Sequence, residues 1–248
     1  LRFELIRHDV VDSTSERAFA AIAAKTARHG DVHLARAQTR GRGRFGRTWH
    51  SAPDEGLYMS VVLLPPPPPW NPSALTMAAG LALFDTAERL GLQSCALKWP
   101  NDLLIDGAKL AGVLVETRGL DPERPHYVAG IGLNVKQSAF PPALSAERHV
   151  TSLSSIGLSI SIEDAAASVL AALADRLDHV INRREVIAAD YLRASRLTDA
   201  PITVSVGALQ HSGSVVGLSL DEGLLLRDDA SRRDTLIPLE FVREIRLA

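Results

Sequence analysis

The chain has 248 residues, 46% hydrophobic and 23% charged, with 27 Lys and Arg against 29 Asp and Glu and a formal net charge of −2. That length can bury about 70–75% of the unfolded surface, enough for one large domain or a large domain with a small companion. The balance argues against a disordered chain and a general nucleic-acid binder.

The single cysteine, Cys95, leaves no intramolecular disulfide framework or cysteine-based metal site; it reads as a small buried hydrophobe in a reducing cytoplasm. No run approaches the ~18 apolar residues of a membrane span, and the Leu-Arg-Phe-Glu start lacks a signal-peptide core.

In chain order, residues 3–10 suit an opening strand, with Phe3, Leu5, Ile6 and Val10 as apolar positions. Asp12 or Ser13 then caps a helix running to about Arg28, with Glu16 placed to close a capping box on Ser13 and Gly30 as its stop. The same N-terminal hydroxyls, on Ser13 and Thr14, could instead line a pocket for a neutral polar ligand. A second strand over 32–38 delivers Gln38 to an unusual loop. Arg40 to Arg47 alternates four arginines with glycines, a pattern that lets backbone and guanidinium forks approach phosphate or carboxylate oxygens. By itself it could equally be a solvated basic loop or an arginine-glycine tract for RNA.

A β-branched strand follows over 56–64, closed by the proline run Pro65 to Pro69, which reads as a polyproline II connection. Apolar residues at helical spacing predict a core-facing helix from Pro72 to Leu90, stopped by Gly91. Residues 96–105 and 109–116 flank Asp106-Gly107, a strong hairpin signal that would bring Trp99, Asn101, Asp102 and Lys109 close together. Amide, carboxylate and ammonium groups beside apolar strands are costly unless paired or used. A further strand over 127–135 contains Gly130 and Gly132, a mark of close approach by a ligand or another backbone. Residues 137–161 are loop-rich, helices return at 163–181 and 185–195, and five short β runs between 202 and 247 predict a small closed barrel docked on the larger unit.

Four motifs in register, the arginine loop, Lys98-Trp99-Pro100-Asn101-Asp102, Lys109-Leu110-Ala111-Gly112 and Gly130-Ile131-Gly132-Leu133-Asn134, resemble the biotin protein ligase family from Asp12 to about Leu153. The resemblance implies an α+β fold: a mixed β-sheet packed against helices, of the class II aminoacyl-tRNA synthetase-like type, over residues 1–198, then an SH3-like β-barrel over 199–248. It implies a monofunctional ligase, without a DNA-binding segment ahead of the catalytic domain. MgATP would activate biotin to biotinyl-5′-AMP, releasing pyrophosphate, and an acceptor lysine of a biotin carboxyl carrier protein would take the acyl group. A homodimer is compatible with it; DNA and membrane partners are not expected.

By the same resemblance, Lys109 bridges biotin carboxylate and α-phosphate, and Arg42, Arg44 and Arg47 hold phosphates and close over the adenylate. Asp102 either holds Mg²⁺ through water or takes a proton from the acceptor lysine. Ser13, Thr14, Ser15 and Gln38 face the biotin ring system, while Gly41, Gly112, Gly130 and Gly132 allow close approach. Trp49, Trp99, Asn101 and Asn134 lie on the nucleotide side, Trp99 with pure core packing as its alternative. Two departures stand out: Ser15 replaces an asparagine common in relatives, and Phe45 sits where some carry another arginine. A loop that admits two substrates and then shields a hydrolysable intermediate should be mobile when empty. The rival readings are a lipoate ligase or transferase and an RNA-binding module.

Overall fold

The computed structural model describes residues 1–64, 70–119, 125–198, 200–229 and 231–247. The polyproline reading of 65–69 therefore lies outside the described residues. Strands β1 (Glu4–Val11), β2 (Asp31–Gln38), β3 (Gly56–Leu63), β4 (Cys95–Lys98), β5 (Asp102–Ile105), β6 (Ala108–Glu116) and β7 (Tyr127–Asn134) form one seven-stranded sheet in the order β1-β2-β3-β7-β6-β5-β4. Only β1 and β2 pair in parallel; the remaining ladders are antiparallel. The mixed α+β architecture agrees with the expectation.

Residue parity divides the sheet into two faces. On β3 and β7 the odd positions Leu57, Met59, Val61, Ala129, Ile131 and Leu133 join the main core. That face is covered by α2 (Pro72–Arg89), α4 (Ile162–Asn182) and α5 (Arg184–Ser195). On the even face, Val62 and Val128 pack with Ala18 and Phe19 of α1 (Thr14–Ala23) in a separate small cluster. The rest of that face is left for Tyr58, Ser60, Gly130 and Gly132, which lie opposite one another across β3 and β7. This uncovered half-sheet is the floor of the site described below.

Several boundaries differ from the sequence expectation. Helix α1 stops at Ala23 rather than near Arg28, because Lys25 turns left-handed at φ 59° and the chain doubles back toward β2. Ser13 occupies the N-cap position without a side-chain capping bond, so the expected capping box is absent; Glu16 turns outward to arginines instead. The first arm of the predicted hairpin is two strands, β4 and β5, folded on each other by a turn at residues 99–101. Within 137–161 a short helix, α3 (Pro142–Glu147), interrupts the loop.

The C-terminal strands β8 (Pro201–Val206), β9 (Leu209–Ser219), β10 (Gly223–Asp228), β11 (Asp234–Ile237) and β12 (Val242–Leu247) form a second, antiparallel sheet in the order β11-β10-β9-β8-β12. Among the described residues it is open, with β11 and β12 as edges, rather than the closed barrel expected. Its buried face, including Ile202, Val204, Leu224 and Ile245, is continuous with the main core, so about 47 residues need not supply a core of their own. Trp99 ties the units together: its Nε1 donates to the Val242 carbonyl at 3.2 Å and its ring meets Tyr191 edge-on at 5.7 Å. Among the described residues no helix is long and apolar enough to cross a membrane.

Candidate active site

A cavity of about 400 Å³ opens on the even face of the sheet, between α1, the arginine loop and the turn joining β4 to β5. One end is polar and neutral. The Thr14 amide and hydroxyl both donate to Gln38 Oε1, at 2.8 and 3.2 Å, and Gln38 Nε2 donates to Ser51 Oγ at 2.8 Å. Ser60 Oγ lies 2.7 Å from Thr14 Oγ1 and 3.0 Å from Ser15 Oγ. All three hydroxyl residues are buried. Hydroxyls are both donors and acceptors, so this cluster can re-aim to satisfy a ligand that carries both functions.

The other end is charged. Lys109 Nζ donates to Asp102 Oδ1 at 2.6 Å, the two side chains being 13% and 21% exposed. Burial pulls the Lys109 pKa down from the usual lysine range; the Asp102 carboxylate opposes that fall, and Arg148 and Arg47 add to it.

A bulge creates the pair. Asp102 lies opposite Gly112 and Leu103 opposite Ala111, but Leu104 then lies opposite Lys109, leaving Leu110 without a partner. The extra residue turns Lys109 onto the face of Asp102 while Leu110 enters the core. Strict alternation from Gly112 would have sent the lysine into the core. The backbone of Lys109 is also strapped from outside, its N–H donating to the His149 carbonyl at 2.9 Å and its carbonyl accepting from the Thr151 amide at 3.0 Å.

The arginine loop has a closed neck and a short tip. Trp49 N donates to the Gly41 carbonyl, Gly43 N to the Arg47 carbonyl, and Arg42 and Thr48 form an isolated bridge. At the tip, Arg44–Gly46 makes a single 3-10 turn with Phe45 left-handed at φ 57° and 72% exposed. Arg44 Nη1 donates to Asn101 Oδ1 at 3.4 Å, its guanidinium lies 4.8 Å from the Phe45 ring centre, and burial lowers its pKa. Arg42 donates to both Glu16 and Glu116. Its charge is therefore already matched, and Arg44 and Arg47 are the loop cations left to meet an anion in the cavity.

Most of the anticipated residues converge on this cavity: Ser13, Thr14, Ser15, Gln38, Arg42, Arg44, Arg47, Trp49, Trp99, Asn101, Asp102, Lys109, Gly112, Gly130 and Gly132 all line it. Gly41 and Asn134 are not among the lining residues. A Cβ on Gly41 would stand 2.3 Å from the Trp49 carbonyl, so this glycine admits the loop's own backbone. Asn134 Nδ2 donates to the Thr151 carbonyl at 2.8 Å, holding the strap behind Lys109. Trp99 lines the cavity yet is 7% exposed, so the core-packing alternative accounts for most of its ring. Asn101 donates through Nδ2 to the Val113 carbonyl at 2.7 Å, which fixes the oxygen that meets Arg44. What approaches Gly132 here is Trp49, whose indole atoms would lie 2.4 and 2.5 Å from an added Cβ; Lys109 Nζ stands 5.3 Å from that ring.

Sequence reasoning missed Ser60, Arg148, Arg243 and Glu244, which also line the cavity. Ser60 was discoverable: a lone serine in an apolar strand buried on both faces calls for a polar partner. The other three come from segments remote in sequence, and only tertiary structure places them.

A profile of the biotin/lipoate A/B protein ligase family matches residues 8–134. Over 142 residues the chain is 38% identical to the bifunctional ligase/repressor BirA of Bacillus subtilis (strain 168), a match spanning 56% of this chain and 43% of that protein. The biotin–[acetyl-CoA-carboxylase] ligase of Mycobacterium tuberculosis (strain ATCC 25618 / H37Rv) is 35% identical over 213 residues, covering 82% of this chain and 75% of the relative. Among solved structures, a biotin protein ligase from Aquifex aeolicus in complex with biotin and ATP superimposes with a TM-score of 0.78 at 27% identity, covering 99% of each chain. Its sequence, fold and cavity agree: the chain belongs to the biotin/lipoate A/B protein ligase family.

Proposed function

We propose that this chain is a biotin–protein ligase that forms biotinyl-5′-AMP from biotin and ATP and passes the biotinyl group to a lysine of a carboxyl carrier domain. The observation that carries the reading is the cavity's polarity. A buried hydroxyl and amide cluster at one end suits a ureido ring, which both donates and accepts, and a lysine–aspartate pair under an arginine loop at the other suits a carboxylate meeting a phosphate. A lipoyl ring has no hydrogen-bonding groups and would leave those hydroxyls unanswered. The relatives carrying biotin ligase names and the biotin- and ATP-bound neighbour support the same assignment.

In the first step a carboxylate oxygen of biotin attacks the α-phosphorus and pyrophosphate leaves. Lys109 draws the two anionic oxygens together and Arg44 and Arg47 offset the developing charge; such preorganised charge is commonly worth about 10²–10³ in rate. In the second step the acceptor amine attacks the acyl carbon, AMP leaves, and Asp102 is the carboxylate beside Lys109 that takes the proton.

Among the described residues no three His, Cys, Asp or Glu side chains gather as a metal cage. The single carboxylate of Asp102 fits a magnesium ion held through water and phosphate oxygens. Bound there, magnesium would supply neutralisation of phosphate charge. The cytoplasm remains the compartment that suits this chemistry, and the C-terminal sheet corresponds on this reading to the family's SH3-like unit.

The decisive experiment is ATP–pyrophosphate exchange with the free acid varied. Biotin-dependent exchange, followed by transfer to a carrier domain, is expected. Exchange with lipoate alone would reassign the substrate, and no exchange with either acid, alongside salt-sensitive RNA retention, would favour a binding module. Arg44→Gly should let the intermediate leak and label exposed lysines; an unchanged dissociation rate would remove Arg44 as its clasp.

A further inference from the structure

Arg42 was expected to act on phosphate, yet it is the most heavily neutralised arginine of its loop. Its two terminal nitrogens go to different carboxylates on different elements: Nη1 to Glu16 in the first turn of α1, and Nη2 to Glu116 at the end of β6, at 2.5 Å. Glu16 is also gripped in a fork by Arg118, whose nitrogens donate at 2.9 and 2.5 Å and whose guanidinium rests 4.1 Å from the Phe19 ring centre. The second oxygen of Glu116 is buried without a hydrogen-bond partner among the described residues. That carboxylate takes its hydrogen bond from Arg42, with Arg118 close enough to add to the charge compensation.

Two cations and two anions sum to zero, which leaves little net attraction for a phosphate. A single exposed ion pair is worth little, such as the 3.3 Å contact of Arg40 with Asp12 that also links the loop to the start of α1, but this is a four-group network with a fork contact, joining three segments. Arg42 also forms the backbone bridge to Thr48 that closes the neck of the loop. Holding its side chain holds the neck, while among the described residues the tip arginines Arg44 and Arg47 form no ion pair with a carboxylate, Arg44 donating to the Asn101 amide oxygen instead.

We propose that Glu16 and Glu116 are positioning residues for the arginine loop: they fix Arg42 and the neck of the loop, so that only the tip moves when an anionic intermediate is enclosed. The enzymatic arm of its test rests on the ligase reading; the other arm does not. The planar guanidinium gives each carboxylate its own terminal nitrogen in a fixed geometry, where a lysine would offer both only one flexible point charge, which gives the arginine fork its reason.

The test is the isosteric double variant Glu16→Gln with Glu116→Gln. Deuterium uptake across residues 40–49 of the ligand-free protein should rise at least tenfold in rate, with strand 56–63 unchanged as the internal control. Release of biotinyl-5′-AMP should quicken by about tenfold, since a displacement of ~1 Å in such a constellation can cost up to 10². Arg42→Gln should give the same two effects alone and add nothing in the double-Gln background. If the carboxylates merely sequester a phosphate ligand, freeing Arg42 will slow release instead, and that result, unchanged loop exchange, or full additivity overturns the proposal. Loss of biotin-dependent exchange in the wild-type protein would defeat the ligase reading while leaving the hydrogen-exchange arm intact.

Discussion

Replacing Asp102 by asparagine keeps the shape of the site and removes one charge, leaving the largely buried Lys109 side chain without an ion-pair partner among the described residues. At the observed 2.6 Å, the attraction is about 6 kcal/mol at an effective dielectric of about 20. Much of that is spent on desolvating the two groups, and breaking a buried pair by removing one partner commonly costs about 3–5 kcal/mol. The two side chains retain some solvent, 13% and 21%, so Asp102→Asn should destabilise the fold by about 3 kcal/mol, at the low end of that range.

The catalytic consequence has a definite sign. Burial already lowers the Lys109 pKa and Asp102 is the group that opposes the fall. In the variant the fall goes further, so the lysine loses its proton at a lower pH than in the wild type. A step that needs the ammonium should then slow about 10²-fold at neutral pH, with the variant's activity plateau ending at a lower pH on the alkaline side than that of the wild type. Biotin-dependent ATP–pyrophosphate exchange measured from about pH 6 to about pH 9, alongside urea denaturation, reads both effects. An exchange rate and alkaline limb identical to wild type would show that Asp102 does not sustain the charge on Lys109.

Three further outcomes are expected. Gly132→Ala puts a Cβ 2.4 Å from the Trp49 indole; the ring must shift, at a cost of about 1–3 kcal/mol, so tryptophan emission should change together with a fall in exchange activity, and unaltered emission would refute the packing described. His33, 4% exposed, lies within 3.0 Å of His8 and faces Arg17 and Asp31; burial depresses its pKa to about 4. It stays neutral in the fold while the unfolded chain takes up a proton below about pH 6.5, so stability should fall by about 1–2 kcal/mol from pH 7 to pH 5. His33→Gln should flatten that dependence in urea midpoints; an equal slope would exclude the histidine. The loop tip should exchange amide hydrogens faster than Gly56–Leu63 when empty and slow on adenylate binding, and equal protection in the free protein would end the gating idea.

Much of this molecule is written locally. The apolar run Gly56–Leu63, the helical spacing of Pro72–Arg89 and the Asp106-Gly107 turn each carry their own instruction, because β-branching, a 3.6-residue period and a turn dipeptide act over a few residues. The arginine loop and the Trp-Pro-Asn-Asp turn were legible for the same reason, and motif spacing was enough to anticipate that Lys109 and Asp102 share a site. Asp12-Ser13-Thr14-Ser15-Glu16 misled because a capping box and an outward-facing ion pair use the same residue types; which partner Glu16 takes depends on Arg42 and Arg118, 26 and 102 residues away.

What the tertiary structure alone decided follows from that difference in range. The bulge at Leu110 turns Lys109 out of the core, and only the register of β5 against β6 determines it. Gly41 and Asn134 belong to a neck and a strap rather than to the cavity wall, and Arg243 reaches the cavity only because Trp99 fixes β12 beside the β4–β5 turn. The sequence by itself determined which chemistry the chain can perform, since residue types and local spacing set it. The fold decided which cation is free to perform it, because the charge left on Arg42, Arg44 and Arg47 depends on carboxylates that distant segments bring to them.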